Sequence, residues 1–250
     1  MLRPFLADLH IHTVLSGCAE VEMIPPLIIR QAKRLGLSLI GITDHNACHD
    51  VEAMIQASEG TGIHVLPGME LQSREEVHLL CLFDTFLQCQ QWQEEVSKNL
   101  PPLSNKEAFG AQFVVNPLGE WIRTEERLLA MSTNMGLEEV VREVHSMGGM
   151  VIPAHVDRPS FSLLSNLGMV PDSLEADALE VTPRFIPSIG MQRWPQLKDW
   201  CMIVNGDAHR LQEIQNRTQF TLAAAEVREI NLAFKGEAGR KVTVKWPVPG

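Results

Sequence analysis

Phe5-Leu-Ala-Asp8-Leu-His10-Ile-His12-Thr13 starts as an apolar run and turns, over its last residues, into acids and imidazoles. A short apolar stretch of this kind reads as a buried strand. Residues 24–35 follow with Pro25 and Pro26 in the first turn and Gly36 as a stop, the pattern of a helix. Working outward, the same order returns. Residues 37–43 read as a strand, 50–59 as a helix anchored by Met54 and Ile55, and 63–67 and 77–83 as two further strands. Later, the amphipathic helix 137–147 ends at Gly148-Gly149 and feeds a strand at 150–153, with more strands at 178–181 and 202–205.

Seven strands, mostly followed by helices, in 250 residues fit a closed α/β barrel, although an open doubly wound sheet has the same element order. Residues 84–136 break the pattern. They are Gln-rich at Gln88, Gln90, Gln91 and Gln93, and they hold an expected hairpin in which 112–115 and 120–123 flank Asn116-Pro-Leu-Gly119. We read the chain as a single α/β barrel domain, 1–250, with 84–136 as a hairpin-containing insertion. Leaving from the mouth side after the fourth strand, it would serve as a lid or pack on the rim.

The composition, 45% hydrophobic and 21% charged, is that of a folded domain. Five scattered cysteines without a C-x-x-C pair suit reduced thiols, and the N-terminal residues lack a secretion signal, so a cytoplasmic location is expected. No membrane association is expected. A net charge of −10 argues against long nucleic acid as a partner, because backbone affinity comes from Lys and Arg releasing counterions.

The polar residues cluster at strand ends: His10 and His12, Asp44-His45-Asn46, Glu70, His78, His155, and Asp207-Ala-His209. In a barrel these ends meet at one mouth. His10 and His12, one residue apart on a strand, project from the same face and can hold one ion. Any one of these histidines reads more readily as an ordinary hydrogen-bonded residue; six of nine at one mouth, with Glu70 and Asp207, read as a site for two or three divalent metal ions. Neighbouring cations need a bridging anion, and Glu70 is the natural one, placed after Pro67-Gly68 where glycine permits a sharp turn. Mixed His and carboxylate ligands suit Zn, Mn or Fe.

These motifs resemble the PHP (polymerase and histidinol phosphatase) family of metal-dependent phosphoesterases, at Asp8-Leu-His10-Ile-His12-Thr13, Thr43-Asp44-His45, Gly68-Met-Glu70, His78, Ala154-His155 and Gly206-Asp207-Ala-His209. The resemblance implies a distorted (β/α)7 barrel and a trinuclear site. His10, His12, Glu70 and Asp207 would surround one metal, Glu70, His78 and His155 a second, and His45 and His209 a third. Where many members carry Asp or His after the first motif, this chain has Ser16-Gly17-Cys18-Ala19-Glu20. Cys18 either donates a thiolate, favouring zinc, or packs while Glu20 or water fills the gap. Asp8 is expected to support the ligands from behind.

The expected reaction is hydrolysis of a phosphate ester by an activated water at a di- or trinuclear centre, with Asp207, His209 or Asp44 moving protons. A small phosphorylated substrate, such as a nucleotide, is expected. Arg158, which follows the fifth strand, is the favoured phosphate contact; Arg184 and Arg210 are weaker candidates, and Asn46 and His49 are expected to line the pocket. His64 and His145 read as structural. The alternatives are an amidohydrolase-type barrel, disfavoured because no lysine lies between Lys33 and Lys98 to bridge metals, and a non-catalytic metal or ligand sensor.

Overall fold

The apolar runs that read as strands lie side by side, and the stretches of helical period cover them from outside. The computed structural model describes residues 1–104 and 109–247; residues 105–108, inside the expected insertion, and 248–250 lie outside the described residues. β1 (Arg3–Ile11), β2 (Leu39–Ile42) and β3 (His64–Gln72) pair in parallel, linked by α1 (Pro25–Arg34) and α2 (Val51–Ser58). The prolines opening α1 lack N–H groups that a first turn leaves unpaired in any case, and Gly36, at φ 74°, turns the chain out of it. The inward face of α1 is Pro25, Ile28, Ile29 and Ala32, the three-to-four spacing that one helix side requires.

The alternation fails after β3. β4 (His78–Leu82) runs antiparallel to it, with Gln72 opposite His78 and Gly68 opposite Leu82. The physical reason is length. Only residues 73–77 connect the two strands, closed by a Ser73 N–H bond to Val77 O (2.9 Å), and a crossover helix needs about 10 residues or more. Gly68 therefore sits within a strand rather than at a sharp turn. A Cβ there would come within 2.7 Å of Cys81 O, so glycine allows close approach of β4.

The reversal also corrects the expected exit of the insertion. Because β4 is antiparallel, 84–136 leaves from the end opposite the mouth. Thr85 and Gln88 form a capping box for α3 (Phe86–Asn99), which carries the chain back toward the hairpin β5 (Phe113–Val115) and β6 (Trp121–Thr124). The hairpin packs against the loop after β1 through Phe113 N–H to Val14 O (3.0 Å).

The remaining elements are α4 (Leu137–Ser146), β7 (Met150–Pro153), α5 (Leu163–Asn166), β8 (Leu179–Val181), α6 (Pro187–Arg193), β9 (Met202–Val204), β10 (Thr218–Leu222), α7 (Val227–Phe234) and β11 (Lys241–Val244). The main sheet has seven strands in the order β11-β10-β1-β2-β3-β4-β7, and β8 and β9 form a separate parallel pair. Single backbone bonds tie that pair to the sheet, including Val156 N–H to Glu180 O (2.8 Å) and Ala208 N–H to His10 O (3.1 Å). The observed architecture is thus an α/β fold with a curled, open sheet of mixed strand directions, in place of a uniform parallel barrel. β10 and β11 were not among the expected strands, although Thr218, Phe220 and Leu222 alternate inward as a strand requires.

Phe5, Ala7, Leu9, Leu39, Leu66, Leu80, Ile152 and Ile203 line the inside of the curl, and Ile230 and Ala233 of α7 join them. The outer core lies between strands and helices, with Ile28, Met54, Trp92 and Val144 buried in it. No helix among the described residues is long and apolar enough to cross a membrane.

Asp50 ties hairpin to mouth: its Oδ1 accepts Val115 N–H (2.9 Å), and its Oδ2 stands 3.0 Å from Thr13 Oγ1, which donates to Asp44 Oδ2 at 2.7 Å. Burial and then the neighbouring Asp44 push the Asp50 carboxyl up to about 7, against the opposing pulls of the Val115 N–H, the Thr13 hydroxyl and Arg123. A carboxyl raised on folding stabilises fully below its unfolded pKa, about 3.9, and loses that contribution as pH rises through about 7. Asp50→Asn should therefore raise Tm relative to wild type more at pH 8 than at pH 5, measured by thermal melts; an equal difference at both pH values would contradict this.

Candidate metal centre

Glu70 lies fully buried on β3 and faces five imidazoles. Its Oε1 is 2.8 Å from His78 Nδ1, 3.0 Å from His155 Nε2 and 3.3 Å from His10 Nε2. Its Oε2 is 3.0 Å from His45 Nδ1 and 3.4 Å from His12 Nε2. Burial alone would raise this carboxyl, but His78, His10 and His45 hold it well below the usual carboxylate range. His209 completes the cluster, its ring 4.0 Å from that of His12, centroid to centroid. The structure thus gathers all six expected histidines with Glu70 and Asp207.

The donor spacings fit a divalent cation. Around His10 Nε2, the His12 Nε2 atom is at 3.2 Å, Glu70 Oε1 at 3.3 Å and Asp207 Oδ1 at 3.3 Å; Asp207 Oδ1 is 3.4 Å from His12 Nε2. Ligands at about 2.1 Å from a tetrahedral ion stand about 3.4 Å apart. Glu70 Oε2 and Asp207 Oδ1 are buried without a hydrogen-bond partner, which costs free energy unless a cation meets them. Three overlapping groups have ligand atoms within 4.8 Å of one another: His10, His12, Glu70 and Asp207; His45, Glu70 and His78; and His12, His45 and His209. The first is the set expected. In the second, His45 takes the place expected of His155, and the third adds His12 to His45 and His209.

Hydrogen bonds behind the rings fix which nitrogen faces inward. His10 Nδ1 donates to Glu180 (3.0 Å), and His209 Nδ1 donates to Asp207 O (2.9 Å). His12 Nδ1 donates to Ser16 Oγ (3.0 Å), which in turn donates to Asp44 Oδ1 (2.7 Å). All three rings therefore turn an Nε2 lone pair toward the cluster, the arrangement metal-ligating histidines use. Burial works against charge on His10, yet Glu180, Glu70 and Asp207 raise its pKa well above the ordinary value.

Glu180 was missed in the sequence. It is buried on β8 and also accepts His155 N–H (3.0 Å) and Asn205 Nδ2–H (2.7 Å). A glutamate inside the apolar run Ala178-Leu-Glu180-Val181 was the signal available. Asp8 accepts backbone N–H groups of Gln215 (2.7 Å), Gly206 (3.0 Å) and His10 (3.2 Å), so it braces the loop carrying Asp207 rather than the rings themselves. His155 and Asp207 hold φ of 31° and 47°, positive values uncommon outside glycine that cluster at functional sites.

Asp44 is buried, with both oxygens engaged by Thr13 and Ser16, and burial raises its pKa. Asn46 is likewise taken up: its Nδ2 donates to Leu129 O and Met131 O, both at 2.7 Å, and its Oδ1 accepts Gln72 N–H at 3.0 Å. These bonds join it to the insertion. His49 is 3.3 Å from Glu125. Arg158 Nη1 binds Asp207 Oδ2 (3.0 Å) at the edge of a cleft of about 540 Å³ that Cys18, His209 and Arg210 also line. Arg210 pairs with Glu20 at 2.8 Å, and Arg184 is exposed. Away from the mouth, His145 pairs with Asp177 at 2.9 Å.

Glu180 holds the outer nitrogen of His10, the place a carboxylate takes behind a metal-ligating ring. Glu180→Gln keeps the size and removes the charge, and should weaken zinc affinity by about 10- to 100-fold with the far-UV spectrum unchanged. Titration with a competing chelator checks this; unchanged affinity would remove Glu180 from the centre.

Comparison with known proteins places this geometry. The uncharacterized protein YqxK of Bacillus subtilis is 24% identical, covering 98% of this chain and 65% of its own. The lesion-specific endonuclease Q of Pyrococcus furiosus shares the fold, with a TM-score of 0.74 and 23% identity over 96% of this chain and 58% of its own. An endonuclease Q complex with a 27-mer duplex carrying an abasic lesion at its active site gives 0.72 at the same identity and the same coverage of both chains. This chain therefore spans about three fifths of the length of these relatives. The last finding overturns the expectation that long nucleic acid is excluded and the substrate small. Net charge averages the whole surface and does not describe the mouth, where Arg158 and Arg210 line the cleft beside Asp207. The PHP domain model matches residues 8–169, and the chain belongs to the PHP domain family.

Proposed function

We propose that the chain is a metal-dependent hydrolase that cleaves phosphodiester bonds in nucleic acid, with damaged DNA as the substrate class. The observation that carries the hydrolase reading is the donor set of His10 Nε2, His12 Nε2, Glu70 Oε1 and Asp207 Oδ1, in which four edges of 3.2–3.4 Å match a divalent cation. The likeness in fold to endonuclease Q supports the substrate class. In family terms the curled sheet with its β8–β9 pair is a distorted (β/α)7 barrel.

His10, His12, His45, His78, His155, His209, Glu70 and Asp207 are the residues that would hold the metals, with Glu70 shared between positions. Divalent cations there would supply an activated water and stabilise charge on phosphate oxygens. Each side chain has a task that follows from its contacts. Glu70 and Asp207 bring the negative charge that lets cations sit close together. Glu180 and Ser16 hold His10 and His12 in their ligating tautomers. Arg158 keeps one guanidinium edge on Asp207 Oδ2 and turns the rest to the cleft, where a fork of N–H groups suits a phosphate. His209, its Nδ1 bound to a carbonyl, presents Nε2 for ligation or for moving a proton.

Among the described residues no lysine is buried, and Glu70 takes the bridging place, so the amidohydrolase reading loses its metal bridge. The test is strand incision. Zinc- or manganese-loaded protein is incubated with end-labelled duplexes that carry an abasic site, a deaminated base or no lesion. We expect incision of the damaged strands, reduced about 100-fold or more by Glu70→Gln. No incision of any duplex at full metal occupancy would overturn the proposal. Arg158→Ala should lower kcat/KM about tenfold, the loss of about 1.5 kcal/mol from a charge-assisted contact, with metal content unchanged. An equal loss of metal and activity would instead place Arg158 in support of Asp207.

A further inference from the structure

Phe161 lies on the loop that leaves β7 at the mouth, and its ring stacks on that of His78, with centroids 5.1 Å apart and planes 17° from parallel. His78 Nδ1 is in turn 2.8 Å from Glu70 Oε1, so the phenyl ring stands one imidazole away from the centre of the donor cluster. Its backbone is strained. At φ 54° Phe161 occupies the left-handed region, which costs a bulky residue free energy and suits glycine. A glycine there would relieve the strain and lose only the ring. Burial does not account for the ring either, because Phe161 is 38% exposed while His78 beneath it and Leu163 after it are buried. Phe109, Trp121 and Phe161 are exposed aromatic side chains among the described residues, and Phe161 is the one whose ring lies on a histidine of the centre.

The loop holds this ring and Arg158 in one turn. Arg158 N–H bonds to His155 O (2.8 Å), His78 N–H bonds to Phe161 O (3.2 Å), and Ser162 Oγ donates to Arg158 O (2.6 Å). Asp157 ties the turn to the end of β8 by accepting Thr182 N–H (2.7 Å) and the Thr182 hydroxyl (2.6 Å). Arg158 reaches Asp207, and Phe161 covers His78. One loop thus presents a guanidinium and a flat apolar ring over two members of the donor cluster.

We propose that Phe161 is a specificity residue whose ring stacks the nucleobase of the nucleotide bound at the mouth, while Arg158 meets its phosphate. This rests on the nucleic-acid reading above and deepens it. A base inside a duplex cannot approach a recessed centre until it is unstacked, and an aromatic ring beside that centre replaces the stacking it gives up. Every base offers a π-face, so the ring selects for the presence of a base rather than for its identity.

Two readouts test this. Metal-loaded protein is titrated by calorimetry with a deoxynucleoside monophosphate and with deoxyribose 5-phosphate, which share sugar and phosphate and differ in the base. Wild type should bind the nucleotide about tenfold more tightly, the order of one base-to-aromatic stack. Phe161→Gly, which suits the backbone, should remove that preference with metal content and affinity for the sugar phosphate unchanged, and Phe161→Tyr should keep it. In strand incision, Phe161→Gly should lower kcat/KM about tenfold on a duplex with a deaminated base and leave an abasic duplex within about twofold, because an abasic site has no base to stack. A wild type without the preference, a preference that survives Phe161→Gly, or an equal loss on both duplexes would each overturn the proposal. Loss of metal from Phe161→Gly would make the ring a support for His78 and overturn it as well. Failure of the nuclease reading looks different: no duplex is incised, yet the preference appears and depends on Phe161, which leaves the stacking assignment standing.

Discussion

A single buried carboxylate, Glu70, must satisfy the demands of five imidazoles at once, and most of the structure around the mouth follows from that. Burying an ionised glutamate is costly unless positive charge surrounds it. The fold supplies rings from β1, from the loop after β2, from β4 and from the loop after β7, and all of them converge within 3.4 Å of the two Glu70 oxygens. An arrangement with two orphaned carboxylate oxygens at its centre is balanced by cations rather than by further hydrogen bonds.

Around this centre the polar residues divide by what they touch. Glu180 and Ser16 bind ring nitrogens and so choose tautomers, whereas Asp8, Asp44 and Asp157 bind backbone or hydroxyl groups and so hold loops. The insertion belongs to this second set. Its hairpin is tied to Asp50, and its later residues to Asn46, so the loops that carry His12, Cys18 and His45 are braced from outside. Energy put into these buried polar contacts does not stabilise the fold as much as apolar packing would; it holds ligands in place before any cation arrives.

Much of this was legible from residue types and spacing. H-x-H on a strand, Glu70 on the next parallel strand but one, and Asp-x-His at the end of another predicted side chains that the fold brings together at one mouth, because two-residue strand period and strand-end polarity survive into the fold. The seven expected strands exist. What was not legible is pairing direction and long-range polarity. Whether 73–77 makes a crossover or a hairpin depends on its length and closure, and the consequence, an insertion leaving from the far end, cannot be seen in a one-dimensional pattern. Glu180 was hidden because one acid in an apolar run looks like noise until the fold brings His10 of the main sheet against it. Substrate class was misread for a further reason: the net charge of −10 is a sum over the surface, and the mouth is a small part of it.

Glu70 is proposed as the bridge between metal ions. Anomalous diffraction from zinc-loaded crystals, collected on both sides of the zinc edge, tests it most directly. A bridging Glu70 gives at least two anomalous peaks at bonding distance, one touching each carboxylate oxygen, with His10, His12 and Asp207 around one of them. Full zinc loading with no peak at Glu70, or with a single ion that contacts only one of its oxygens, would contradict it.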